Sequence, residues 1–313
     1  MATRLTGRTV YIWQQSDWPH MTVRQDELTS LLAEVHMLQG QLMGRISLFG
    51  FEEQNDSMLD NMTSEIVHSS KIEGQELNRD SVRSSLASQL GLKYDGLPIT
   101  DHYIEGVVQV MLDATHNFSK PLTDERLFGW HAALFPNGYS GMYKIDVGKW
   151  REAKGAMRVV SGPMGRERVY YEAPSAEKVP MMMNDLLAWI ETDERKTDPL
   201  VKAAIAHLWF VTIHPFDDGN GRLCRTITEL LLSRADNTEQ RYYSMSSQIL
   251  KNRNAYYDHL EAAQKGGTDV TEWVEWFLKT LKTAINASLE RTESVVRKRQ
   301  FWNRHEHTPI NER

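Results

Sequence analysis

The chain lacks most of what would make it a secreted, membrane-spanning or nucleic-acid-coating protein. One of its 313 residues is a cysteine, Cys224, so no disulfide can close within the chain, and a reducing cytoplasm is the expected compartment. Met1 to Val10 has no apolar stretch of the signal-peptide kind, which disfavours a secreted toxin. No apolar run reaches the roughly 20 residues that a bilayer demands. Basic residues are outnumbered, 36 Lys and Arg against 42 Asp and Glu, for a net charge of −6, which excludes a broad phosphate-binding face. The one basic cluster, Arg297, Lys298 and Arg299, reads as a solvated helix face. There is no G-x-x-x-x-G-K-[ST] loop, the nearest stretch being Val147-Gly148-Lys149-Trp150, and no H-E-x-x-H, so P-loop NTPases and zincin metalloproteases drop out. What remains is an ordinary globular balance, 41% hydrophobic and 25% charged, in a chain long enough for two units and a tail.

Residues 214 to 225 read His-Pro-Phe-Asp-Asp-Gly-Asn-Gly-Arg-Leu-Cys-Arg. Upstream, Asp198-Pro199 is an N-cap followed by a proline at the first helical position, and the apolar run Leu200 to Ile213 predicts a buried helix that Pro215 must stop. His214 then stands at the C-terminal end of that helix. Gly219-Asn220-Gly221 permits backbone conformations closed to residues with a Cβ, and a second helix is expected from about Arg222. Its free amides and positive dipole end form an anion site, and Arg222 and Arg225 lie three apart on one side of it. Asp218 is a hard oxygen ligand of the kind Mg²⁺ on a polyphosphate takes, and an imidazole with an ordinary pKa near 6.5 suits His214 to general-base work. Singly, a His before Pro is a helix end and Gly-Asn-Gly is a turn; their combination with two arginines in register is what points to chemistry. Cys224, flanked by Leu223 and Arg225, reads as a small core residue.

The dodecamer resembles the core motif of the Fic family, H-x-F-x-[DE]-G-N-G-R-x-x-R, at all eight specified positions. With residues treated as independent, such a window arises by chance at about 10⁻¹⁰. The resemblance implies transfer of AMP from ATP to a Tyr, Ser or Thr hydroxyl of a target protein or of the enzyme itself. It assigns proton abstraction to His214 and Mg²⁺ to Asp218. The phosphate cradle falls to the backbone of Gly219, Asn220, Gly221 and Arg222, the γ-phosphate to Arg225 and a loop-anchoring role to Phe216. Tyr257 and Gln264, in segments similar to those that border the adenine in the family, are candidates for nucleotide contact, although aromatics at that spacing are often core. The implied fold is mainly α, a Fic-fold helical bundle with a small β-hairpin flap, preceded by an N-terminal helical module.

Ser69-Ser70-Lys71-Ile72-Glu73-Gly74 is similar to the family's inhibitory motif, [ST]-x-x-x-E-[GN]. Beside the core motif it implies that Glu73 pairs with Arg225 and keeps the γ-phosphate out. Ser69, four residues earlier on the same helix face, is expected to steady the Glu73 carboxylate. Without the core motif the stretch is a solvated glutamate before a helix-ending glycine.

Tyr11 to Pro19 opens an N-terminal unit that resembles the module of unassigned function ahead of many bacterial Fic cores. The expected organisation is 1–95 for that module, with the inhibitory helix at about 60–74, 96–290 for the core and 291–313 for a basic extension. Helical patterns fill 24–48 and 56–73; Asn78 caps a helix that ends at Gly91; further helices fall near 101–116, 123–134, 175–191, 199–213, 222–235, 252–264 and 270–296. Met157–Ser161 and Glu167–Tyr171 flank Gly162-Pro163-Met164-Gly165 as a hairpin. By resemblance this is the flap that pairs with an extended target segment, and a merely structural hairpin is the alternative. Relatives with this module often continue into a winged helix, which the chain ends short of, and DNA becomes a partner only with such a domain; a homo-oligomer is compatible with the resemblance. Two other functions stay open: removal of AMP or transfer of another nucleotide by the same site, and an ATP-sensing DNA-binding regulator.

Overall fold

The computed structural model describes residues 10–92, 101–152, 155, 157–161, 168–192 and 197–304. Among these the chain is mainly α, as the sequence pattern predicts. The helices are α1 (Gln25–Ile46), α2 (Phe51–Ile72), α3 (Arg79–Gln89), α4 (His102–His116), α5 (Asp124–Leu134), α6 (Val179–Glu191), α7 (Pro199–Ile213), α8 (Asn220–Asp236), α9 (Met245–Lys251), α10 (Arg253–Gln264) and α11 (Thr271–Arg304). Two antiparallel hairpins interrupt them, β1 (Tyr139–Ser140) with β2 (Tyr143–Lys144), and β3 (Arg158–Ser161) with β4 (Arg168–Glu172). No described helix is long and apolar enough to cross a membrane.

Several helices begin behind a side-chain cap, two of them, at Asn78 and Asp198, legible in the sequence. The side chains of Asn78, Asp101, Thr123 and Asp198 each accept from a backbone amide of the first turn they precede. Three features were not legible. The short β1–β2 hairpin and α9 carry too few residues for periodicity to register, and α6 starts at Val179 behind a 3₁₀ turn at Ala176–Lys178. The β3–β4 strands stand where the alternating pattern puts them, with an irregularity between Val159 and Val160, and the Gly162–Gly165 turn lies outside the described residues. The basic cluster at 297–299 falls within α11.

α7 is the centre of the molecule. Leu200, Ala203, Ala204, Ala206, Leu208, Phe210 and Ile213 are fully buried, because α6, α8, α10 and α11 all pack against this one helix. A helix enclosed in this way has no need of a polar face, which is why its sequence is apolar all round. The N-terminal helices join the same core: α1 lies along α11, α2 against α9, and one continuous hydrophobic cluster runs from Ile12 to Leu289. A buried carboxylate pins the second contact. Glu65 on α2 accepts from the Ser244 hydroxyl at 2.8 Å, the Ser246 amide at 2.9 Å and the Ser246 hydroxyl, all at the N-terminus of α9.

Gly106 sets the crossing of α4 and α5. A Cβ there would stand 2.2 Å from the Ala133 carbonyl oxygen, so only glycine allows the approach. Gly106→Ala is expected to lower stability by about 1–3 kcal/mol through overpacking. Gly40→Ala, on the exposed side of α1 with open space around it, is expected to raise stability by about 0.5–1 kcal/mol. Urea denaturation measures both, and equal effects would show that the close approach at Gly106 is unimportant.

Candidate active site

The site lies where the C-terminus of α7 and the N-terminus of α8 are turned side by side by residues 214–219. His214 caps α7 in the left-handed region, φ 53° and ψ 59°, and its amide donates to the Phe210 carbonyl. Such a conformation is uncommon for a residue with a Cβ and is held here by its surroundings. Gly219 ends the turn at φ 82°, with Phe135 so close that a Cβ would meet the ring at 2.8 Å. Asn220 locks the loop shut: its Oδ1 accepts from the Phe216 amide at 2.9 Å and its Nδ2 donates to the Phe216 carbonyl at 2.8 Å. Phe216 is fully buried, stacked on His131 with centroids 4.2 Å apart.

α8 therefore begins at Asn220, two residues before the expected Arg222. Of Gly219-Asn220-Gly221 only Gly219 uses a left-handed backbone. Gly221 is helical and is needed for space. A Cβ on it would fall 2.1 Å from Glu73 Oε1, because the Glu73 carboxylate lies directly against the first turn of α8. The anion that meets this helix end belongs to the chain itself.

Three histidines crowd this region, and their hydrogen bonds separate them. His207 is buried, with Nδ1 on Thr228 Oγ1 at 2.8 Å and Nε2 on Tyr256 Oη at 3.0 Å, and burial pushes its pKa down to about 3. His131 donates from Nε2 to the Asp218 carbonyl at 3.1 Å and accepts the Gly148 amide on Nδ1 at 3.2 Å; burial holds it down to about 4. Both are fully used. The half-buried His214 donates from Nδ1 to the Val211 carbonyl at 3.3 Å, which fixes the tautomer and leaves Nε2 as a lone pair with no partner among the described residues. Burial lowers its pKa to about 4, with the Val211 bond, Glu73 and Asp218 opposing and Arg151 reinforcing, so the imidazole is a neutral acceptor at pH 7.

The two aspartates part company. Asp217 Oδ2 accepts the Asp146 amide at 3.0 Å and serves the loop. Asp218 Oδ1 accepts the adjacent Gly219 amide at 2.6 Å and Oδ2 accepts the Ser140 hydroxyl from the β1–β2 hairpin. No cluster of three or more His, Cys, Asp or Glu able to hold a metal occurs among the described residues.

The arginines both reach toward the end of α2. Arg225, 2% exposed, donates from Nη2 to Glu73 Oε1 at 2.8 Å and to the Ser69 carbonyl at 2.8 Å, and from Nε to Ser69 Oγ at 2.8 Å. Burial works against its charge, but the Glu73 carboxylate beside it raises its pKa well above the ordinary value. The Ser69 hydroxyl thus serves the arginine, where the helical spacing predicts a bond to the Glu73 carboxylate; the long guanidinium reaches both residues and takes the acceptor. Arg225 Nη1 has no hydrogen-bond partner among the described residues. Arg222 donates from Nη1 to Gln75 Oε1 at 2.8 Å and to Tyr103 Oη at 2.6 Å, with its guanidinium 4.8 Å above the Phe135 ring. Gln75, Tyr103, Ser140 and Arg151 were invisible in the sequence, since none belongs to a spaced pattern.

Tyr257 is half-buried on α10 and near enough to Glu73 and Arg225 to feel both charges. Gln264 is buried and donates to Thr212 Oγ1 at 3.5 Å, against the last turn of α7. Cys224 is fully buried and its thiol is pushed up by desolvation, as a core residue requires.

Residues 121–232 match the Fic/DOC family, and residues 11–92 match a domain of unknown function, DUF4172. The chain is 27% identical over 222 residues to Protein adenylyltransferase fic-1 of Caenorhabditis elegans, covering 70% of this chain and 40% of that protein. It is 25% identical over 238 residues to Protein adenylyltransferase Fic of Aedes aegypti, covering 74% and 42%. The chain therefore spans about two fifths of the length of these curated relatives. Among solved structures, a Fic family protein from Desulfovibrio desulfuricans G20 superposes with a TM-score of 0.63 at 27% identity, over 87% of this chain and 76% of that one. A Fic domain containing signaling protein from Bacteroides thetaiotaomicron shares the fold alone, with a TM-score of 0.61 at 17% identity over 83% of this chain and 98% of that one. All eight motif positions at 214–225 lie inside the matched segment, and the helical fold is shared with these structures, so residues 121–232 form a Fic/DOC segment of the chain.

Proposed function

We propose that the chain is a protein adenylyltransferase restrained by its own α2, moving AMP from ATP to a hydroxyl side chain of a target protein. The observation that carries this reading is the Glu73 carboxylate, an internal anion set against Gly221 and paired with the buried Arg225. A helix N-terminus that accommodates one anion beside a buried arginine has the chemistry for a polyphosphate. The names of the adenylyltransferase relatives support the same reaction.

In this reading the 219–222 backbone and Arg222 hold the phosphates, and Asn220 keeps that cradle closed. Arg225 takes the γ-phosphate once Glu73 withdraws, its unpartnered Nη1 providing a further donor. Tyr257 and Gln264 border the base. The target hydroxyl oxygen attacks the α-phosphorus, the bond to the β-phosphate oxygen breaks, and pyrophosphate leaves with the electron pair. The hydroxyl proton goes to His214 Nε2, the free lone pair of a neutral imidazole. Asp218, one carboxylate with a serine hydroxyl beside it, suits Mg²⁺ that takes its other ligands from phosphates and water, and the ion when bound would neutralise charge on those phosphates.

The target strand is assigned to the β3–β4 flap, a two-stranded sheet with an outer edge on each strand. We divide the chain at 1–95, 96–290 and 291–313, and place it in the cytoplasm because of its single cysteine.

Labelled ATP with Mg²⁺ provides the test. His214→Ala should lose at least about 100-fold in transfer rate while ATP affinity changes less than about threefold, since the imidazole moves a proton and holds no phosphate. Full activity in that variant removes His214 from the chemistry. Asp218→Ala should abolish metal-dependent transfer, and the loop aspartate variant Asp217→Asn should keep it; the reverse outcome would mean that the metal-binding register is off by one.

Glu73→Gly should raise both self-labelling and target labelling, because a guanidinium left without its carboxylate favours a γ-phosphate in its place. Relief requires Arg225, so Glu73→Gly with Arg225→Ala should be as inactive as Arg225→Ala alone. An unchanged rate in Glu73→Gly would end the autoinhibition model.

A further inference from the structure

The last turn of any α-helix leaves carbonyls without helical partners, and the end of α7 is buried, so each must be answered. His214 itself answers two: its amide donates to Phe210 and its Nδ1 to Val211. The next four are answered from two residues that belong to neither α7 nor α8. Tyr171 Oη donates to the Thr212 carbonyl at 2.6 Å. Arg151 donates from Nη2 to Ile213 at 3.4 Å, from Nε to His214 at 2.7 Å and from its own amide to Pro215 at 2.9 Å. Both side chains are 2% exposed.

The same two residues hold the root of the flap. Tyr171 lies on β4, and Arg151 Nη2 also donates to the Pro174 carbonyl, two residues beyond the strand, at 2.6 Å. The N-terminal segment braces this root from the other side: Tyr11 packs edge-on against Tyr171 with centroids 5.1 Å apart, and Trp13 Nε1 donates to the Glu172 carbonyl at 3.0 Å. A guanidinium at the negative end of α7 is also favoured by the helix dipole.

We propose that Arg151 and Tyr171 are positioning residues for the transfer reaction, locking the left-handed His214 and the root of the β3–β4 flap into one rigid frame. The inference rests on the adenylyltransferase reading, in which His214 is the base and the flap carries the target strand. Two surfaces that must meet within a fraction of an ångström, the base and the attacking hydroxyl, are thereby tied to the same helix end. Arg151 adds an electrostatic part. The charged groups acting on His214 are Arg151, Glu73 from α2 and Asp218 from the loop; Arg151 opposes its protonation and the two carboxylates favour it. Removing the cation raises the His214 pKa, so the acid side of the rate profile moves to higher pH.

The experiment compares Arg151→Lys, Arg151→Gln and Tyr171→Phe in the Glu73→Gly background, with folding followed by circular dichroism. Transfer is measured as kcat and as KM for ATP across pH, and His214 is titrated by NMR. Arg151→Lys and Tyr171→Phe should lower kcat about 10- to 100-fold with KM for ATP within about threefold, because position is lost and phosphate contacts are not. In Arg151→Gln the NMR pKa of His214 should rise and the acid limb should move with it, whereas Tyr171→Phe should leave both in place. A folded Arg151→Gln with unchanged kcat and an unmoved His214 titration overturns the proposal. If the Arg151 variants do not fold, Tyr171→Phe, which lacks one hydroxyl, decides, and an unchanged kcat there overturns it equally. The titration needs no turnover, so failure of the adenylyltransferase reading, marked by no AMP transfer in the Glu73→Gly enzyme itself, is distinguishable from failure of the strut, marked by an unmoved His214 titration in Arg151→Gln.

Discussion

A guanidinium that is 2% exposed must find its acceptors inside the protein, and Arg225 finds them on α2. This buried charge holds the last turn of α2 in place. Breaking such a pair by removing one partner leaves an uncompensated ion in a low-dielectric setting, a state the molecule avoids strongly. Hence α2 has to lie with its last turn across the N-terminus of α8, with Ser69 and Glu73 in reach of one side chain. Gly221 is the complement on α8: the absence of a Cβ leaves room for the carboxylate.

The two helix ends at the site carry opposite partial charges, and each is met by its opposite. The positive end of α8 receives a carboxylate from α2, and the negative end of α7 receives a guanidinium from the segment before the flap. These complements differ in kind. Glu73 is about a third exposed at a helix end, whereas the buried Arg151 side chain donates to the carbonyls of Pro174, Ile213 and His214.

What precedes residues 121–232 is therefore packed into the candidate site. Glu65 holds α2 to the start of α9, α1 runs along α11, and Tyr11 and Trp13 brace the flap root. Through these contacts the position of Glu73 depends on residues spread from the N-terminal segment to the last helix.

The sequence by itself determined the helical class, the caps at Asn78 and Asp198, the buried α7, and the collection of chemical groups at 214–225, because each rests on local chemistry or on a period of a few residues. It also paired Glu73 with Arg225 through a resemblance, since no local rule links positions 152 residues apart. The rest was decided by tertiary structure. Ser69 turned to Arg225 because a guanidinium arriving from another helix offers three donors where the helix offers none. Gly221 is demanded by a neighbour's carboxylate and not by its own backbone. Which histidine keeps a free nitrogen follows from partners on other elements: Thr228 and Tyr256 for His207, Gly148 and Asp218 for His131. Arg151 and Tyr171, in no motif at all, act on α7 only because the fold brings the flap root to the helix end, and proximity of that kind has no period for a sequence to display.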